Sequence, residues 1–131
     1  MFFSDIDRVT SISEHMKPER LNELLNKYLT PGTDCIMENG GFVDKYVGDG
    51  VIAVWGAPYR DPEHAYNACI SAIEQQKTIR EMNQELKSEF GSEIHVRMGL
   101  NSGTVTAGNM ESERKFQYAV MGDVVNLASR L

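Results

Sequence analysis

The chain is poor in the residues that would assign it to several common classes. It has only two cysteines, Cys35 and Cys69, with no Cys-x-x-Cys spacing. A disulfide scaffold and a cysteine-based zinc site are therefore excluded, and buried free thiols are the expectation. The three histidines, His15, His64 and His95, fall on separate segments without ligand spacing. Basic residues are outnumbered, 13 Lys and Arg against 19 Asp and Glu. The resulting net charge of −6 and the lack of a Lys/Arg cluster exclude a nucleic-acid footprint. No apolar run reaches the roughly 18–20 residues that span a bilayer, so this domain itself makes no membrane contact. Nor does a basic flank with an apolar run mark a signal peptide. There are no internal repeats or low-complexity stretches.

What remains is a chain of 131 residues, the length of one domain with a core of its own. Residues 1–5 read as a strand, and a short helix follows from about Ser11 to Glu14. Leu21, Leu24, Leu25, Tyr28 and Leu29 recur at helical spacing. Thr30-Pro31 interrupts that stripe, which resumes at Cys35 and Ile36, predicting a kink or a closely coupled second helix. Asn39-Gly40-Gly41 predicts its cap. Phe42 to Trp55 reads as a hairpin turning at Gly48-Asp49-Gly50.

Asp61-Pro62 predicts a helix start capped by Asp61, with an apolar face at Ala65, Cys69, Ala72, Ile73, Gln76, Ile79 and Leu86. Ile94, Val96, Met98 and Leu100 alternate with His95, Arg97 and Gly99 as in a half-buried strand. Strands are also predicted at Thr104 to Ala107 and through Phe116, Tyr118 and Val120, and a helix from Gly122-Asp123 with Asp123 as its cap. Tyr28, Trp55 and Phe116 read as packing residues. This order predicts an α+β fold: a ferredoxin-like, palm-type βαββαβ-derived sheet, mostly antiparallel, with helices packed mainly on one face. A strand at the very first residue, and a last helix that stops without a cap, predict that the chain is part of a longer protein.

The chemistry-bearing residues are two acids at strand ends, Asp5 and Asp49. Strands deliver side chains rigidly, and glycines on both sides of Asp49 let backbone and ligand approach closely. Two carboxylates brought together can hold Mg²⁺ against a triphosphate. Taken singly, each is also ordinary strand-end or turn chemistry. Asn126 and Arg130, four apart on a predicted helix, share a face that suits a sugar oxygen and a phosphate, or simply a solvated surface. Arg97 lies opposite its strand's core residues and could reach a phosphate or stand as a surface arginine. Lys45 could pair with a neighbouring acid.

Three stretches resemble the catalytic domain of class III nucleotidyl cyclases: FFSDIDRVTSISE (Phe2–Glu14), GFVDKYVGDGVIAVWGAP (Gly41–Pro58) and RMGLNSGTVTAGNM with YAVMGDVVNLASRL (within Arg97–Leu131). They span essentially the whole chain, 1–131, in the family's order. The resemblance is greatest to bacterial adenylate cyclases with the domain at the cytoplasmic end of a membrane-anchored sensor. It implies a cytoplasmic adenylate cyclase that converts ATP to 3′,5′-cyclic AMP and pyrophosphate, in a head-to-tail homodimer with composite sites. Asp5 and Asp49, with the Ile6 carbonyl, would bind two Mg²⁺ or Mn²⁺ ions. Asp7, Arg8, Val9 and Thr10 would cradle the triphosphate, and Arg97 would contact phosphate. From the other protomer, Lys45 and Ala119 would stand at the purine, Asn126 at the ribose, and Arg130 at the pentavalent phosphorus.

The chain departs from the pattern in places. Arg8-Val9 stands where the family commonly has Gly or Ser then Phe, and Ala119 where it has Asp or Thr. The family's last strands, with a phosphate-contacting lysine, are missing. The alternatives are a guanylate cyclase or a catalytically degenerate cyclase-like dimerisation module. A diguanylate cyclase would show a GG(D/E)EF turn, which Val47 to Val51 (VGDGV) does not match.

Overall fold

The computed structural model describes residues 1–57, 59–103, 106–112 and 115–121, the last two segments as backbone only. The elements are β1 (Phe2–Ile6), α1 (Val9–Ser13), α2 (Pro18–Glu38), β2 (Phe42–Val47), β3 (Gly50–Val54), α3 (His64–Phe90), β4 (Val96–Leu100), β5 (Thr106–Ser112) and β6 (Lys115–Met121). Four strands form an antiparallel sheet in the order β2-β3-β1-β4, and β5 and β6 pair separately. The fold is thus the α+β arrangement the pattern predicts, with both long helices on one face. No described helix is long and apolar enough to cross a membrane.

Alternation along β1 sorts the two faces. Phe2 and Ile6 pack into the helix-side clusters with Ile36, Ala72, Leu24 and Ile79, and Ser4 meets the Tyr28 hydroxyl at 3.3 Å. Phe3 faces the other way, where Met1, Ile52, Val54, Phe42 and Ala57 form a smaller apolar cluster. Asp5 follows Phe3 by two residues and so lies on this open face.

No second helix begins at Pro31: α2 is one helix from Pro18 to Glu38 with Pro31 inside it. Proline in a helix interior costs about 3 kcal/mol. Burial of Leu24 and Tyr28 before it and Ile36 after it anchors both halves and outweighs that cost. The cap is as predicted: Gly40 takes a φ of 82° and the Gly41 N–H donates to the Ile36 carbonyl at 2.8 Å. A Cβ on Gly41 would lie 2.7 Å from Ile36 and from the Trp55 ring, so no larger residue fits.

Helix α3 begins at His64, with no side-chain cap at its start. Asp61 shapes the preceding turn instead, accepting from the Glu63 N–H and the Asn67 side-chain amide, both at 2.9 Å. The buried face is rotated from the predicted one: it is Ala68, Ser71, Ala72, Gln75, Ile79 and Leu86, and Ile73 is exposed. Ser71 and Gln75 are buried because they satisfy each other, with the Gln75 amide donating to Ser71 Oγ at 3.2 Å. The expected burial of the thiols fails too: Cys69 is exposed and Cys35 only half-buried.

Candidate active site

The hairpin between β2 and β3 has a two-residue loop, Gly48-Asp49, and only its first residue has positive φ, 61°. Gly48 supplies that conformation at no steric cost. Gly50 serves differently. A Cβ there would sit 2.8 Å from the Ser4 carbonyl oxygen, so its lack of a side chain lets the loop close against β1. Asp49 is thereby brought to the end of β1, where its Oδ2 accepts the Ile6 N–H at 2.7 Å. The two strand-end acids therefore meet at one end of the sheet, joined through the residue that follows Asp5.

The antiparallel register places Arg97 of β4 opposite Asp5. Its guanidinium binds both carboxylate oxygens, Nε to Oδ1 at 3.0 Å and Nη2 to Oδ2 at 3.1 Å. Asp7 Oδ1 is 3.9 Å from the same guanidinium. These contacts raise the arginine's pKa, first through the hydrogen bonds to Asp5, then through the charges of Asp5, Asp7 and Asp49. On the helix side, Tyr28 has its pKa pushed up from 10.0 to about 12 by burial, against the lowering effect of the Ser4 hydroxyl and with a further push from Asp49 and Asp5. A neutral phenol thus stands beneath the acids.

Arg8 adopts the left-handed conformation, φ 56° and ψ 37°, where β1 turns into α1. That conformation costs a non-glycine residue on the order of 1 kcal/mol and explains why glycine suits this position. The Asp7 N–H donates to the His95 carbonyl at 2.7 Å, tying the turn to β4. Val9 and Thr10 form the first turn of α1.

Lys45 does not join this group. Its row of the sheet runs through Ile52 and Phe3, and β3 lies between β2 and β1. With strands about 4.8 Å apart, it stands about 10 Å to the side of β1. Its nearest acid is Asp44, 3.6 Å from its ammonium nitrogen. Ala119 lies on β6 opposite Gly108. Asn126 and Arg130 lie outside the described residues, as do the predicted helix there and its proposed cap, Asp123.

Sequence reasoning missed Asp44, whose side chain is only 1 % exposed. The signal was available: Phe42 and Val43 are successive apolar residues, followed by Asp44 and Lys45, so alternation breaks where the register shifts between Val43 and Lys45.

The donor set suits a hard divalent cation, since Asp5 and Asp49 offer carboxylate oxygens. Among the described residues no cluster of three or more His, Cys, Asp or Glu could hold a metal alone. Mg²⁺ binds through one or two carboxylates together with substrate phosphates, a number that Asp5 and Asp49 can supply.

The sequence profile of the adenylate and guanylate cyclase catalytic domain matches residues 1–131, and the chain belongs to this family. It is 33% identical to adenylate cyclase 1 of Rhizobium meliloti (strain 1021) over 129 residues, 98% of this chain and 19% of that protein. Among solved structures, the guanylyl cyclase Cya2 superposes with a TM-score of 0.92 at 35% identity, over 98% of this chain and 66% of that one. The adenylyl cyclase CyaB from P. aeruginosa gives 0.91 at 34% identity, over 98% and 67%. The chain thus spans about a fifth of the Rhizobium protein and about two thirds of the solved cyclase chains.

Proposed function

We infer that this domain converts ATP to 3′,5′-cyclic AMP and pyrophosphate. The observation that carries this reading is the pairing of Asp5 and Asp49 at one end of the sheet, through the 2.7 Å hydrogen bond from Ile6 N–H to Asp49, with Arg97 on Asp5. The family supports a cyclase, and the Rhizobium relative is named an adenylate cyclase.

In the reaction the ribose 3′-oxygen attacks the α-phosphorus, the bond from that phosphorus to the bridging oxygen breaks, and pyrophosphate leaves while the hydroxyl proton passes to solvent. Asp5 and Asp49, with the Ile6 carbonyl, would hold Mg²⁺ or Mn²⁺. Bound there, the cations would ease loss of the hydroxyl proton and screen the triphosphate. Asp7, Arg8, Val9 and Thr10 line the approach to the phosphates. Arg97 has an exposed side chain and can turn from Asp5 to a phosphate oxygen. Arg130 would add positive charge where negative charge develops, the part of binding that lowers the barrier. Asn126 would orient the ribose. Lys45, Asn126 and Arg130 would come from the second protomer of a head-to-tail homodimer.

A guanylate cyclase is the second reading. The guanylyl cyclase Cya2 matches as well as the adenylyl cyclase CyaB, and Ala119 has no side-chain acceptor for the adenine amino group. The test is kcat/KM of the full-length protein for ATP and GTP with Mn²⁺, in the wild type and in Ala119→Thr. ATP should be preferred, and Thr should sharpen that preference by about three- to tenfold, the worth of one hydrogen bond in a desolvated pocket. Outright preference for GTP overturns the adenylate assignment.

A further inference from the structure

The bulge in β2 turns two consecutive residues to one face. Val43 pairs with Ala53 and packs on the helix side, whereas Lys45 pairs with Ile52 of the open-face cluster. Asp44, the extra residue, stands against Ile52 together with Lys45. Tyr46 then returns to the helix side, where its hydroxyl meets Thr33 at 2.9 Å.

Asp44 is costly where it stands. Its side chain is 1 % exposed, and Oδ2 is buried without a hydrogen-bond partner. The cation that faces this oxygen is the Lys45 ammonium at 3.6 Å, a few tenths of an ångström beyond hydrogen-bond range. Packing alone would favour an apolar residue, as at neighbouring Val43 and Ile52. A buried acceptor left without a hydrogen bond points to a use for the charge.

We propose that Asp44 is the positioning residue that holds the Lys45 ammonium for reading the base of the nucleotide. This rests on the cyclase reading, which takes Lys45 to the purine. An ammonium has three donors and no acceptor. The charge of Asp44 at 3.6 Å draws the end of a flexible side chain to one place and leaves its N–H groups free to point outward. The six-membered ring of adenine presents an acceptor nitrogen at N1, where guanine carries N–H. A pinned, donor-only group therefore favours adenine, and a freely swinging one discriminates less because it can move aside.

The test measures binding of 3′-deoxy-ATP and 3′-deoxy-GTP to the full-length protein by calorimetry with Mn²⁺. These nucleotides lack the attacking oxygen, so no turnover intervenes. Asp44→Asn keeps the shape and removes the charge. Asp44→Val is made alongside it, so that the comparison stands if one variant fails to fold. Either should lower the adenine-over-guanine binding ratio about three- to tenfold, with the thermal midpoint unchanged or raised. The same change in a Lys45→Met background should have no further effect on the ratio, because Asp44 acts through Lys45. A ratio unmoved by the Asp44 variants, or equally reduced with Lys45 absent, overturns the proposal while leaving the cyclase reading in place. A wild-type protein that binds neither nucleotide, or binds without preferring adenine, overturns both.

Discussion

Tyr28 and Arg97 show how much of this site is set by single contacts. Burial holds Tyr28 as a neutral phenol, with its pKa pushed up from 10.0 to about 12. An acid whose folded pKa lies above the unfolded one binds its proton more tightly in the folded state. Its stabilising contribution is therefore complete below about pH 10 and lost as pH rises toward 12. The loss is on the order of 2 kcal/mol. Urea unfolding at pH 9 and pH 11.5 should show a smaller alkaline loss for Tyr28→Phe than for the wild type; equal losses would mean that Tyr28 titrates normally. Asp5, Asp49 and Arg97 were legible from strand ends and alternation. The pairing of Asp5 with Arg97 was not, because it depends on which strands become neighbours and in what register, which no local pattern carries. Asp44 was hidden for the opposite reason: an acid in a strand reads as solvent-facing, yet its side chain is only 1 % exposed.

Among the elements, the β2–β3 hairpin is the one whose geometry makes the site. Its two glycines act by different means, and substitution separates them. Gly48→Ala meets no atom within 4 Å but strains a φ of 61°, costing about 1 kcal/mol. Gly50→Ala drives a methyl group to 2.8 Å from the Ser4 carbonyl, so the hairpin and β1 must move apart. It should cost more than Gly48→Ala, about 2–3 kcal/mol, and weaken the Ile6–Asp49 hydrogen bond. Chemical denaturation of both variants checks this; a Gly50→Ala protein as stable as Gly48→Ala would contradict the close approach. Helix periods were legible, but their phase was not always so. The face of α3 was misplaced because Ser71 and Gln75 read as surface residues, yet they bury as a hydrogen-bonded pair. A second helix after Pro31, one of the two outcomes expected there, does not form because the local penalty loses to packing on both sides of it.

At the scale of the whole molecule, the helices cover one face of the sheet and leave Asp5, Arg97 and Lys45 on the other. Lys45 stands about 10 Å to the side of β1 on that same face. If Arg130 serves the partner's acids, a mixture of inactive Asp49→Ala and inactive Arg130→Ala full-length proteins should regain activity, since one of the two mixed sites is intact. Absence of recovery despite demonstrated heterodimers would count against the shared site. The α+β class and the antiparallel sheet were legible because β4 alternates, β2 and β3 are two apolar runs joined by a glycine turn, and each long helix carries a stripe.

The central claim is that Asp5 and Asp49 together make the cation site of a nucleotide cyclase. The most direct measurement is formation of cyclic AMP from ATP and Mn²⁺ by the full-length protein and by Asp49→Asn, which can still accept the Ile6 N–H but carries no charge. The wild type should form cyclic AMP, and the variant, folded to the same thermal midpoint, should be slower by about 100-fold or more. A variant that turns over at the wild-type rate, or a wild type that forms no cyclic nucleotide, would contradict it.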